Sequence, residues 1–178
     1  MSSKYKTHPG GLYFITLTVS GWIDLFTRAE YADILLTGLA HCIRRKGLRV
    51  YEYVIMPSHA HLLADLTDDD ALLADVLRDF KSYAAKRIYE LIEINSQESR
   101  RDWLLYQLQF FGQPHGQAFK IWQEGSHPIA LLTPDQTQRC QHYIRYNPVV
   151  ARIVTEPEHY VFSSACPDQL LPLSGLGC

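Results

Sequence analysis

The chain has 178 residues, 47% apolar and 20% charged, enough for one domain with a real core. Its net charge of -2 excludes bulk coating of nucleic acid by positive charge, but not a local basic groove. Cys42, Cys140, Cys166 and Cys178 form no CxxC pair, and no apolar run nears the ~20 residues of a membrane span. A zinc knuckle, a secreted disulfide framework and a membrane span are thereby set aside. Residues 1–10 hold no signal-peptide core, so a reduced, cytoplasmic setting is the expectation.

Residues 12–20, LYFITLTVS, alternate loosely and are rich in β-branched and aromatic types, which predicts a strand. Thr27 and Glu30 have capping-box spacing, so a helix is expected from about Arg28 to Lys46, stopped by Gly47. Two strands follow, about Leu48–Met56 and His59–Leu66, punctuated by Pro57-Ser58. Asp68-Asp69-Asp70 is suited to opening a second helix, whose stripe is Leu73, Val76, Leu77, Phe80, Ala84, Ile88 and Leu91. Arg100–Phe111 reads as a short helix, residues 112–117 as a loop and Phe119–Trp122 as a fourth strand. Thr133 and Gln136 form a second capping box with Pro134 at the first helical position. That helix is expected to end at Asn147-Pro148, because a residue before proline avoids the α region. The order predicts an α+β fold, an antiparallel sheet with helices on one face, occupying residues 1–166, with a loose tail at 167–178.

Chemistry concentrates in Val54–Asp65, where two histidines sit one residue apart. On a strand His59 and His61 point the same way, about 7 Å apart, and can close on one divalent ion. The same pair can equally be two histidines satisfied by neighbours on a half-buried strand. Asp65 shares their face and is a candidate to orient one imidazole. On the last helix, Tyr143 and Asn147 are one turn apart on one face. A phenol can be a nucleophile and an amide oxygen a metal ligand. Tyr146 is a rival nucleophile, and His127 and His142 are possible extra ligands. Arg44, Arg45, Lys46 and Arg49 form the densest basic cluster, with Lys81, Lys86, Arg87, Arg100 and Arg101 a second; either tracks phosphates or is a solvated helix face. Tyr13, Trp22, Trp103 and Trp122 are candidates for stacking unpaired bases, and Tyr83 and Tyr89 for packing or stacking.

Met56-Pro57-Ser58-His59-Ala60-His61 resembles the histidine–hydrophobic–histidine signature of HUH single-strand endonucleases. His142-Tyr143-Ile144-Arg145-Tyr146-Asn147-Pro148 resembles the tyrosine-helix signature of their REP-associated transposase branch. Further similar stretches, among them Leu12–Phe26, Arg78–Lys81, Trp122–Ile129 and Pro157–Ala165, extend the resemblance over roughly residues 12–165. It implies a ferredoxin-like core with the tyrosine helix packed over the face opposite the other helices. It implies Tyr143 as nucleophile, and His59, His61 and Asn147 as ligands of Mg²⁺ or Mn²⁺. The implied activity is nicking and rejoining of single-stranded or hairpin DNA through a 5′-phosphotyrosine link, by a monomer or a homodimer. A catalytically silent DNA-binding protein on the same fold, and a metal-dependent phosphodiester hydrolase using water, are the rival readings.

Overall fold

A computed structural model describes residues 10–67, 72–125 and 128–176. The expected helix opening at Asp68–Asp70 lies outside them. The elements are β1 (Leu12–Thr18), α1 (Ala29–Arg45), β2 (Leu48–Ile55), β3 (His59–Leu66), α2 (Leu73–Ile94), α3 (Arg101–Gly112), β4 (Ile129–Leu131) and α4 (Pro134–Val150). The sheet runs β2-β3-β1-β4, every neighbouring pair antiparallel. With α1 and α2 as the connections, this is the ferredoxin-like β-α-β-β-α-β arrangement. The helix α3 is inserted before β4, and α4 follows it.

Strand alternation assigns the two faces. Tyr13, Ile15 and Leu17 of β1 meet Ala64, Leu62 and Ala60 of β3 and are buried with the apolar stripes of α1 and α2. Phe14, Thr16 and Thr18 point the other way, opposite Leu63, His61 and His59. There α4 packs Ile144 into a second apolar cluster with Val54, Met56 and Leu63. The register of β2 slips between Val50 and Glu52, leaving Tyr51 as the extra residue of a bulge. Beyond the bulge, Tyr53 and Ile55 join the main core, while Val54 joins the cluster under α4.

Three expected features of the elements differ from the structure. No capping box opens α1: the Thr27 hydroxyl donates to the Asp24 carbonyl within a short 3₁₀ turn, and Arg28 precedes the helix without a side-chain cap. The fourth strand is Ile129–Leu131, paired with Leu12–Phe14, and not Phe119–Trp122. The latter segment meets the chain just past β1, through the Val19–Trp122 bridge and the Ser20 amide on the Ile121 carbonyl, while the Lys120 amide is drawn to the Leu108 carbonyl of α3. Proline does not end α4 at Asn147: Pro148 is buried inside a helix that continues to Val150, and the Ala151 amide caps the Asn147 carbonyl. The capping box at Thr133 does form, with Gln136 closing it reciprocally.

The segment after α4, running on into the residues expected as a loose tail, lies along the outer edge of β2. Ile55 donates to the Phe162 carbonyl, Ser164 to Tyr53 and Ser174 to Val50, and Leu171 is buried. The edge is thus covered by the chain's own last segment, which blocks strand addition there. No helix among the described residues is long and apolar enough to cross a membrane.

Candidate active site

The β2–β3 hairpin turns at Pro57-Ser58, closed by the Met56 amide on the His59 carbonyl, 2.7 Å. β3 therefore begins at His59. Alternation then puts His59 and His61 on the α4 side of the sheet, their ring centroids 4.9 Å apart. The Nδ1 of His61 lies 2.9 Å from the Thr16 hydroxyl, and the Nδ1 of His59 3.2 Å from the Ser58 hydroxyl. Phe14 stacks on His61 at 5.1 Å, and Trp22 stands edge-on to His59 at 5.7 Å. His61 is only 5% exposed. Burial, reinforced by the neighbouring His59, pushes its pKa down to about 3; burial also lowers that of His59, against the opposing charge of Asp24. Both rings are neutral at neutral pH, the form that offers a lone pair to a metal.

From α4, the Tyr143 hydroxyl comes 3.3 Å from Nε2 of His61, and its ring meets Phe14 edge-on at 5.8 Å. Half of Tyr143 remains open to solvent. What aims it is a buried carboxylate. Glu52, 2% exposed, accepts from Arg145 Nε at 3.0 Å and Nη2 at 2.6 Å, and from Gln141 Nε2 at 3.3 Å, all on Oε1. Its Oε2 accepts from Ser164 at 2.6 Å. The two bonds from Glu52 outweigh burial and raise the pKa of Arg145 further. Gln141 and Arg145 are one turn apart and bracket Tyr143, so the ion pair and Ile144 fix how α4 lies over the sheet.

No protein-family model and no curated protein sequence matches the chain. Among solved structures, it is similar to a REP-associated tyrosine transposase bound to a REP hairpin, with a TM-score of 0.64 and 19% identity. The match covers 100% of this chain and 93% of that one. The chain has the fold of that tyrosine transposase. A Deinococcus radiodurans protein provisionally assigned as a transposase aligns with a TM-score of 0.47 and 18% identity, over 81% of this chain and 92% of its own.

On this transposase fold the remaining candidates separate. Asn147 is half-buried, one turn beyond Tyr143. Tyr146 does not point as Tyr143 does: its ring stacks on His142 at 4.3 Å and 12°. Asp65 does not orient a histidine. It is held by Arg49 through bonds of 2.6 and 2.7 Å and by the Tyr51 hydroxyl at 2.9 Å, so Thr16 takes the second-partner role expected of it. His127 lies outside the described residues.

The first basic cluster is at the far end of the sheet. Arg44, Arg45 and Lys46 end α1 next to Leu48, which pairs with Leu66, seven strand rises or about 23 Å from His59. Lys46 is paired with Asp79 and Arg49 with Asp65. Lys81, Lys86 and Arg87 lie on α2, the last two against Glu90. Arg100 is bound to buried Glu98, and Arg101 to Asp102 and the Glu93 carbonyl. Of the aromatic candidates, Tyr13 and Trp122 are core residues and Tyr89 stacks on Phe119, whereas Trp22, Tyr83 and Trp103 are exposed.

Sequence reasoning missed Thr16, Glu52, Arg145 and Ser164. A signal existed for Glu52, the one carboxylate inside the otherwise uncharged run Val50–Ile55. Such a residue is buried only with partners.

Two neutral imidazoles with Nδ1 engaged by hydroxyls present Nε2 as the ligating atom. This is the pattern of histidine ligands fixed by an outer partner. Among the described residues no group of three or more His, Cys, Asp or Glu surrounds them, so a third protein ligand drawn from those residues would be an amide or a hydroxyl. That donor set fits a borderline divalent ion such as Mn²⁺, with Mg²⁺ as a harder substitute.

Proposed function

We propose that the chain is a transposase that nicks and rejoins single-stranded or hairpin DNA through Tyr143. The observation that carries this is the approach of the Tyr143 hydroxyl to Nε2 of His61, 3.3 Å, at the open face of the sheet. The solved transposase of the same fold is bound to a REP hairpin, which makes hairpin DNA the substrate class to test.

The phenol oxygen attacks the scissile phosphorus. The bond to the 3′-oxygen breaks, that oxygen takes up a proton and leaves as a 3′-hydroxyl, and the 5′-phosphate stays on Tyr143. The phenolic proton is lost to solvent. Rejoining is the reverse: a 3′-hydroxyl attacks the phosphotyrosine and the phenol departs. An unperturbed phenol has a pKa of about 10, so it is a weak nucleophile yet a tolerable leaving group, which keeps the link reversible.

His59, His61 and the Asn147 amide would hold Mg²⁺ or Mn²⁺. Such an ion supplies charge stabilisation at the phosphate. The protein's own part is orientation. Thr16 and Ser58 hold the imidazoles, Phe14 backs His61 and Tyr143, and the Glu52–Arg145 pair keeps the helix in place.

Trapping tests the reading directly. A panel of labelled DNA hairpins with single-stranded flanks, incubated with protein and Mn²⁺, should give a covalent adduct on a denaturing gel. Peptide mapping should place it on Tyr143. The adduct should disappear in Tyr143→Phe and persist in Tyr146→Phe. Hairpin binding without any adduct would instead mean a silent DNA-binding protein, and cleavage that survives Tyr143→Phe a hydrolase using water.

A further inference from the structure

We propose that the groove between α2 and residues 117–124 holds the backbone of single-stranded DNA that runs from the nick site. This rests on the DNA-processing reading above and adds a binding site to it. The groove, about 730 Å³, is lined by Lys81, Lys86 and Lys120 against one carboxylate, Glu124. On a chain of net charge -2 this is a local basic site.

Lys81 is half-buried, and among the described residues it has no carboxylate within ion-pair distance. Burial lowers its pKa, and Lys120 beside it lowers it further. An ammonium held out of water next to another cation is unfavourable by itself and is relieved by an anion. Lys120 donates to His115 at 2.8 Å and sits 3.2 Å from Glu124, which is mostly exposed and can yield to a phosphate.

The other groove walls select the form of DNA. Half-buried Phe119 and the amides of Gln117 and Gln123 line it, over the buried Ile121 and Trp122. Unpaired bases can use apolar walls and amide edges, whereas a duplex offers such a groove only its phosphates. Position links the groove to the histidines. Gln123 donates to the Thr18 carbonyl at 2.8 Å, and Thr18 pairs with His59. A strand leaving the two-histidine face at that end of the sheet meets the groove next.

Two fluorescein-labelled DNA hairpins, one with single-stranded flanks and one blunt, are titrated by anisotropy across a salt series. With the flanked hairpin, Lys81→Gln/Lys120→Gln should reduce the slope of log K against log salt by about 1.4, roughly 0.7 per phosphate contact on a single strand. The blunt hairpin should show no change. Lys81→Arg/Lys120→Arg should restore the slope. Arg78→Gln, which removes a charge already paired with Asp75 and Asp79, should leave it at the wild-type value. An unchanged slope in the double Gln variant, with Tyr143 adducts still forming, overturns the groove but not the proposed function. An equal drop on both hairpins places the stem there and overturns the single-strand assignment. Failure of the wild type to bind either hairpin overturns both.

Discussion

Thr16 shows how one small side chain sets the character of His61. With its hydroxyl on Nδ1, the ring offers Nε2 towards Tyr143. Thr16→Val keeps shape and removes that partner. It should weaken Mn²⁺ binding about 10–100-fold, read by titration of the metal-free protein. The same ring makes stability depend on pH. An unfolded histidine protonates near pH 6.5, whereas His61 in the folded, metal-free protein stays neutral down to about 3. Between those values the unfolded chain binds a proton that the folded chain does not. Stability therefore falls as pH drops from about 6.5 towards 3, by up to about 1.4 kcal/mol per pH unit. Urea unfolding of metal-free wild type and His61→Gln at pH 7, 6, 5 and 4 checks this. The difference in unfolding free energy between the two should change across that range in the direction given. A constant difference would contradict it.

At the scale of elements, helix α4 is tied to β2 by a pair whose carboxylate is buried and whose guanidinium is half-open. Arg145→Met retains the stem and leaves Glu52 buried with only Gln141 and Ser164. A buried carboxylate losing its charged partner costs about 2–3 kcal/mol here, less than for a fully buried pair because the Arg145 head is solvated. The expected result is a lower urea midpoint with unchanged hairpin binding and a fall in the rate of adduct formation, since α4 loses its orientation before it loses its fold. A double variant, Glu52→Gln/Arg145→Met, should recover much of the stability and little of the rate. Sequence periodicity found this helix, its capping box and the Tyr143–Asn147 face. It could not find Glu52 as a partner, because the bulge at Tyr51 changes the parity of β2 and no local pattern announces a bulge. The same limit explains Phe119–Trp122, whose β-rich composition is real but whose amide is captured by a carbonyl of α3.

For the molecule as a whole, the order strand, helix, strand, strand, helix was legible because each element carries its own period and its own stop. The covering of β2 was not, since Ser163, Leu171 and Ser174 act through long-range partners within a segment that reads as polar and irregular. This segment protects a sheet edge next to the tyrosine helix: β2 is terminal in the sheet order, and Ser164 shares Glu52 with α4. Cutting the chain after Cys166 would keep the Ser164 contact but remove Leu171 and the Ser174–Val50 bond. Losing the buried Leu171 side chain alone costs about 2–5 kcal/mol by the usual cost of large-to-small changes in a core. It also opens the amides and carbonyls near Val50 to another strand. The truncated protein should therefore melt lower and self-associate with rising concentration, as followed by light scattering on a size-exclusion column. Leu171→Ala should show the first effect without the second, because the Ser174 bond to the edge remains. If the truncated chain instead stays monomeric with an unchanged melt, the edge is protected by residues 162–166 alone, and the last segment has no part in holding the sheet on which the histidines sit.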